Sequence, residues 1–372
     1  MKIEIYPDLN SCPRDLSTLK SPNPLQDPTF YKLCERAKIV GPATGWSPIY
    51  FLAIKDDKVA GFLPSYIKSD SYGEFIFDWA WADLYQRHGL PYYPKLVTAL
   101  PFTPVNVSKI LADSQETERA LLAAYDSLLS TNEALSSSHF LFATKQQLTI
   151  LESLGHFSRK TIQYHFDVDY KDFEEFLNDL KARKRKQIKK ERLAISQSGI
   201  EIRVLEELSP QDITEVYSLY LTTIDKKYSQ AYLNQSFFEQ MEQEFNANTL
   251  VIAAYKNNRM IAMSYFIKSD TTLYGRYWGV YPDEEIQYLH FELSYYQGME
   301  YCMRNGLKLF EAGAQGEQKL LRGFRPVEIH SCHKLSLGPI HDAIQNHVSE
   351  ENKIMQAQIK ELESYLPYKK SN

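Results

Sequence analysis

Residues 50–70 read YFLAIKDDKVAGFLPSYIKSD, and residues 250–270 read LVIAAYKNNRMIAMSYFIKSD. In each stretch an apolar, β-rich run meets a polar quartet, Lys55-Asp56-Asp57-Lys58 or Lys256-Asn257-Asn258-Arg259. Such quartets between two strand-like runs suit a tight hairpin turn. A second apolar run then closes on the same tetrapeptide, Ile-Lys-Ser-Asp. The chain therefore carries one β-hairpin twice, and the rest of it reads as two copies of a single α/β unit.

Outward from the hairpins the order of elements repeats. A third strand is expected at Glu74–Trp79 in the first copy and at Leu273–Trp278 in the second. A helical pattern follows at roughly 116–133 and 289–305, then a short apolar strand at 139–143 and 307–311. A closing strand runs from Gly155 to Phe166 in one copy and from Gly323 to Leu335 in the other. Between hairpin and closing glycine the first copy is longer by about 33 residues, best placed near 82–115. A proline- and aromatic-rich insertion of that length inside a compact unit points to function, such as a groove wall, with a stiff packed loop as the plainer reading.

The chain has 372 residues, 44% of them apolar and 24% charged, with a net charge of −5. That balance is globular and argues against a surface devoted wholly to nucleic acid. No apolar run is long enough to span a bilayer, and the acidic, proline-broken N-terminus does not read as a signal peptide, so a cytoplasmic location is expected. Cys12, Cys34, Cys302 and Cys332 are scattered without a paired spacing, and His330 and His333 should face opposite sides of a strand. No disulfide framework or metal site is expected.

Residues 1–168 form the expected first lobe, 169–199 a connecting helical segment and 200–372 the second lobe. The connector carries Phe173, Phe176, Leu177, Leu180, Ile188 and Ile195 at helical spacing, with Lys184 on the same face. Either the helix breaks there or a lysine points inward. Residues 181–192 are almost wholly basic, with Glu191 the single acid. Lys184, Arg185, Lys186, Lys189 and Arg192 are the candidates to hold a polyanion, against the plainer reading of a solvated helix face.

Several blocks together resemble the FemAB-like family of predicted N-acyltransferases. They are Tyr72–Phe75, Tyr92–Leu96, Pro101–Val105, Arg183–Lys186, Leu273–Trp278, Leu289–Glu292 and Glu311–Glu317. The pattern is also similar to the FemABX enzymes, which add amino acids from aminoacyl-tRNA to peptidoglycan precursors and carry a similar basic run before their second lobe. The resemblance implies an α/β (α+β) chain of two tandem GNAT-like acyltransferase lobes, each a mixed central sheet flanked by helices. It implies an N-acyltransferase moving an acyl or aminoacyl group to an amine, with acyl-CoA or aminoacyl-tRNA as donor and no permanently bound cofactor. The alternative is a non-catalytic RNA- or phosphate-binding protein on the same scaffold. Two departures stand out: Asn106-Val107-Ser108-Lys109 replaces the usual Thr-Gly-Pro-Arg, and Gln318 stands where the family usually has histidine.

Acyl transfer to an amine needs a proton acceptor, donors aimed at the developing oxyanion and a groove that aligns both substrates. The densest chemistry lies in Glu311–Arg322, at the end of a short strand. There Glu311, Glu317 and Lys319 are the catalytic candidates, with Glu317 a general base if burial raises its pKa. Gln315, Lys319 and Arg322 are candidates to bind substrate, the last two through a carboxylate or phosphate. His290 reads either as a base or as a satisfied, partly buried imidazole. Arg276, with Tyr277 and Trp278, reads either as a stacked contact or as part of a groove for an anionic acceptor. In the first copy, Lys68, Tyr92, Tyr93 and Lys95 are placed along an acceptor groove. Neither copy has a glycine-rich turn after its third strand, so ordinary acetyl-CoA binding is not favoured.

Overall fold

The computed structural model describes residues 1–226, 230–313 and 316–369. The chain runs β1 (Lys2–Tyr6), α1 (Pro28–Arg36), β2 (Trp46–Lys55), β3 (Lys58–Lys68), α2 (Trp79–Arg87), β4 (Lys95–Thr98) and β5 (Leu111–Ala112). It continues through α3 (Gln115–Thr131), β6 (Ser137–Ala143), α4 (Lys145–Ser153) and β7 (Phe157–Asp167). Then come α5 (Phe173–Asp179), α6 (Ala182–Ser196), β8 (Glu201–Leu205), α7 (Pro210–Lys226), α8 (Gln235–Phe245), β9 (Thr249–Lys256), β10 (Arg259–Lys268) and β11 (Thr272–Val280). The last part holds α9 (Leu289–Phe291), a π-helical turn (Glu292–Tyr296), α10 (Gln297–Asn305), β12 (Leu309–Glu311), β13 (Arg325–Leu335) and α11 (Gly338–Ser364).

Two compact units emerge, the first built from Met1–Ile162 with Glu328–Gln358 and the second from Gln163–Val327 with the residues from Ile359 onward. In the first unit β1, β2, β3 and β4 pair antiparallel in turn, β4 pairs parallel with β6, and β6 pairs antiparallel with β13. In the second, β8, β9, β10 and β11 pair antiparallel in turn, β11 pairs parallel with β12, and β12 pairs antiparallel with β7. The two pairing sequences are the same, as two GNAT-like copies require. Both hairpin turns hold their central residues at positive φ, Asp56 and Asp57 in one and Asn257 and Asn258 in the other. That geometry matches the twist of the flanking strands, and Asp and Asn tolerate it best after glycine.

Three elements differ from the reading of the sequence. The closing strands are exchanged, since β13 serves β6 and β7 serves β12. Packing explains the exchange: Cys332 of β13 enters the first unit's core with Phe140, Tyr125 and Leu121, and Leu335 joins Trp81 and Tyr85. Phe166 of β7 instead meets Phe324 and Phe176 in the second unit. Next, Glu74–Asp78 forms a loop and Trp79 opens a helix, so the third strand is β4, inside the stretch read as an insertion. The acids of that loop are drawn to a buried lysine, described below. Finally, the helical spacing of Ile354, Ile359 and Leu362 predicts that they face inward, whereas α11 buries Ile344 and Val348 and leaves Ile354 exposed. Arg276 also departs from simple alternation, because a β-bulge lets Tyr265 pair with Tyr277 and Phe266 with Gly275.

In the first unit the β6–β13 register sets His139 against His333, their Nδ1 atoms 2.7 Å apart under the Trp81 ring. Burial lowers the pKa of His139 and of His156 to about 3, and holds that of His333 well below the ordinary histidine value. These imidazoles stay neutral when folded and charge when unfolded, so the unfolded chain binds more protons below its pKa of about 6.5. Each group then withdraws about 1.4 kcal/mol of stability per pH unit as pH falls from about 6.5 toward the folded pKa. Urea unfolding at pH 7.5 and pH 5.5 should show a clearly lower midpoint at pH 5.5, and the His139→Gln variant should show a shallower fall. An acid-insensitive midpoint would contradict the neutral histidine pair.

Candidate functional site

The parallel strand β12 ends at Glu311, which is buried and lies opposite His165 of β7 in the antiparallel register. Glu311 Oε2 and His165 Nε2 are 3.9 Å apart, and the same nitrogen lies 3.2 Å from Gln163 Oε1. Past the strand, Gly313 and Gly316 both take positive φ, a conformation that glycine adopts without steric cost. A 3-10 turn follows at Glu317–Arg322. Three residues per turn stack positions 319 and 322 on one side. Lys319 and Arg322 are accordingly buried, at 2% and 3% exposure, while Glu317 faces out.

Lys319 is the unusual member. Its ammonium donates to the Gly313 carbonyl at 2.6 Å and pairs with no carboxylate among the described residues. Burial alone pushes its pKa down to about 7. Its charge acts on two imidazoles: burial and Lys319 lower His165 to about 4, and burial, Lys319 and Arg322 lower His290 to about 4. His290 sits edge-on to Trp278 and Tyr295, with ring centroids 5.1 and 5.3 Å away.

Arg322 is fully engaged. Its Nη2 reaches both oxygens of Glu191 at 2.9 and 3.1 Å, its Nε donates to the Tyr296 hydroxyl at 3.0 Å, and its Nη1 donates to the Gln318 carbonyl at 3.0 Å. The guanidinium lies 3.3 Å from the Phe291 ring centroid, and Tyr296 donates to Glu191. An arginine so saturated braces the site and has no fork left for a substrate carboxylate or phosphate. Gln318, in the family's histidine position, contributes its side-chain oxygen to the same guanidinium at 3.3 Å.

The π-helical turn, an insertion that often marks functional sites, sets Glu292, Tyr295 and Tyr296 around this brace. Glu292 is held by Arg192 at 3.0 Å, and Arg192 also grips Glu300 through two nitrogens and stacks over Phe173. Arg192 therefore leaves the polyanion candidates. The connector breaks between α5 and α6, so Lys184 falls in the first turn of α6, half-buried, its pKa lowered by burial, Arg183 and Arg322. Lys186 and Lys189 are exposed and Arg185 half-buried; Lys189 alone of the three makes a carboxylate contact, with exposed Glu174 at 2.9 Å.

The second unit thus brings together Glu311, Lys319, His290 and Trp278, braced by Arg322. Arg276 stacks on Tyr277, and Tyr277 belongs to an aromatic cluster with Tyr220, Phe238 and Tyr265. Gln315 lies outside the described residues. The role expected of Glu317 presupposes burial, and the residue is exposed. His165, Gln163, Glu191 and Tyr296 were not singled out as site residues. A lone acid in a basic run was the available signal for Glu191; nothing in the local sequence connects His165 to Glu311.

In the first unit, two of the candidates are buried lysines, and Tyr92 and Tyr93 lie beside Lys95. Lys95 Nζ bonds Ser71 at 2.8 Å, Glu74 at 2.9 Å and Asp78 at 2.5 Å. Burial would lower its pKa, but the two carboxylates reverse that and hold it raised. Burial lifts Glu74 to about 7 despite Lys95. Lys68, fully buried, lies 4.1 Å from the Trp46 ring centroid and contacts Asp70 at 3.2 Å. Neither lysine lines an open groove. Tyr92 is buried with its hydroxyl on Asp78, while Tyr93 is half-buried beside an open depression of about 660 Å³ that Trp79, Asp83 and Gln86 also line.

A family model described as FemAB-like, peptidoglycan biosynthesis/recognition, matches residues 11–370. The chain belongs to the FemAB-like family. Among solved structures this FemAB-like chain is similar to FemX, at 13% identity over 87% of this chain and 94% of that one, with a TM-score of 0.54. It is similar to the C-terminal domain of a putative lysylphosphatidylglycerol synthetase from Agrobacterium fabrum, at 8% identity over 89% and 93%, with a TM-score of 0.56. The L-PGS of Bacillus licheniformis matches at 8% identity over 91% and 100%, with a TM-score of 0.51. At these identities the likeness is one of fold. No curated protein matches the chain in sequence. Among the described residues no helix is long and apolar enough to cross a membrane.

Removing one partner of a buried ion pair leaves an unanswered charge and costs about 3–5 kcal/mol. Arg322→Ala should destabilise the protein on that scale in denaturant unfolding, and exposed Glu317→Ala by less than about 0.5 kcal/mol. Equal effects would mean that the 3-10 turn faces the other way.

Proposed function

We propose that this FemAB-like protein is an acyl- or aminoacyltransferase acting on an amine, with its active site in the second unit around Lys319. The observation that carries the reading is the Lys319 ammonium itself, buried in the 3-10 turn after β12, where it donates to the Gly313 carbonyl and meets no carboxylate among the described residues. A buried cation without a carboxylate is expensive to keep, and such groups concentrate where chemistry uses them. Placed beside a reacting carbonyl, the ammonium would face the oxyanion that forms as the amine attacks, the contribution that commonly dominates acyl transfer. Trp278, Tyr295 and His290 supply an aromatic wall. The family's description, peptidoglycan biosynthesis/recognition, is consistent with such a transfer.

The donor belongs to a class whose anionic part suits the basic start of α6, where Arg183, Lys184, Arg185 and Lys186 have no carboxylate within 4 Å among the described residues. Aminoacyl-tRNA and acyl-CoA both qualify. Polyanion binding is then part of the enzyme's work, in place of the non-catalytic alternative.

Lys319→Met should abolish transfer from either donor while leaving the unfolding midpoint unchanged or raised, because an unpaired buried charge has been removed. Retained transfer in this folded variant would overturn the reading. In the wild type the chemical step should slow as pH rises through about 7, where Lys319 loses its proton. Changing both Arg185 and Lys186 to Ala should weaken donor binding and flatten its dependence on salt, as expected when phosphate contacts are lost. Unaltered salt dependence would place the donor elsewhere.

A further inference from the structure

Forming an amide from an ammonium group requires that the acceptor first lose a proton, and Lys319, facing the carbonyl oxygen, is committed to the other half of the reaction. Two imidazoles lie within the field of Lys319, and they differ in how they are held. His290 touches only rings, those of Trp278, Phe291 and Tyr295, and no described residue hydrogen-bonds it. Nothing there selects a tautomer. His165 is oriented from one side, with Nε2 3.2 Å from Gln163 Oε1 and 3.9 Å from Glu311 Oε2. Both of those oxygens accept and neither donates while Glu311 is ionised, so Nε2 carries the proton and Nδ1 keeps its lone pair. A carboxylate behind the protonated nitrogen also favours the imidazolium as it forms, which is the way a general base is usually supported. The spacing is built into the sheet, because Glu311 and His165 are register partners on β12 and β7 and Gln163 lies two residues along the same strand. A site carried by strands holds its geometry better than one carried by loops.

We propose that His165 is the proton acceptor of the transfer reaction, with Gln163 and Glu311 as its positioning residues. This rests on the transferase reading above. His165 Nδ1 takes one proton from the acceptor R–NH3⁺, and the freed nitrogen lone pair forms the new C–N bond at the donor's ester or thioester carbon. The carbonyl π pair moves onto oxygen beside Lys319. On collapse that pair returns and the C–O or C–S bond breaks with its electrons on the leaving oxygen or sulfur. The leaving atom takes the second proton released by nitrogen, and the imidazolium passes the first to solvent, so one amide, one alcohol or thiol and one proton result. Lys319 couples the two halves. Its charge is one of the two causes that keep His165 weakly basic at rest, and a negative oxygen beside Lys319 offsets that charge while the imidazolium still holds its proton.

The test compares two acceptors in single-turnover transfer by the full-length protein, with alanyl-tRNA and acetyl-CoA as donor probes. A lysyl peptide is protonated near neutral pH and needs a base, whereas hydroxylamine is largely unprotonated and does not. His165→Gln should slow transfer to the lysyl peptide by about 10²–10⁴-fold, the usual size of a general-base contribution, while slowing transfer to hydroxylamine by less than about tenfold. Glu311→Gln should lower kcat toward the peptide with little change in its KM and should alter the pH profile, as a positioning group would. Equal losses on both acceptors would assign His165 a structural role and overturn the proposal, as would full activity of His165→Gln on the peptide. If the wild type transfers to neither acceptor from either donor, the transferase reading falls first and this one with it.

Discussion

The carboxylate of Glu191 accepts from Arg322 and from the Tyr296 hydroxyl at once, and this contact ties together three elements that have no sequence proximity. Glu191 comes from the basic helix α6, Tyr296 from the π-helical turn and Arg322 from the 3-10 turn after β12. A buried ion pair of this kind gains little over apolar packing, but it tolerates no missing partner. Its effect is to fix register. With Arg322 pinned, Lys319 one 3-10 turn earlier must point to the same side, and with Tyr296 pinned, His290 and Tyr295 are presented toward it. The site is thus a consequence of the brace behind it.

The brace also accounts for a division of labour among the basic residues. Arg322 and Arg192 face inward and are consumed by carboxylates, Arg322 by Glu191 and Arg192 by Glu292 and Glu300. Lys186 and Lys190 remain at the surface. A planar guanidinium suits the first task and a hydrated ammonium the second. In this unit Lys319 is an inward lysine with one carbonyl partner among the described residues. The first unit makes the opposite choice, since Lys95 is sealed with Glu74 and Asp78. Two copies of one fold therefore each hold a buried lysine, one neutralised by carboxylates and one with no carboxylate among the described residues.

Much of the fold was legible because it is local. The two Ile-Lys-Ser-Asp hairpins, their polar turns and the helix at Gln115–Thr131 follow from patterns within twenty residues or so. The exchange of closing strands was not legible, since both runs begin at glycine and alternate alike, and only the fit of Cys332 and Leu335 in one core and Phe166 in the other decides between them. Glu74–Asp78 reads as a strand by alternation, yet its acids answer Lys95 and the backbone follows. In the site, Glu311, Lys319 and His290 were visible as unusual residue types near a strand end. His165 was not, because its partnership with Glu311 is made by the register of two strands far apart in sequence. Burial decided the rest: it withdrew Glu317 and set Lys319 apart.

Lys319 is a buried cation with no carboxylate among the described residues to hold its proton. A heteronuclear NMR titration of lysine side chains in the free protein, with Lys319→Met used to assign the signal, measures this directly. A midpoint near 7 is the predicted result. A midpoint near the ordinary lysine value of 10.5 would contradict the account, because it would show the ammonium either solvated or paired.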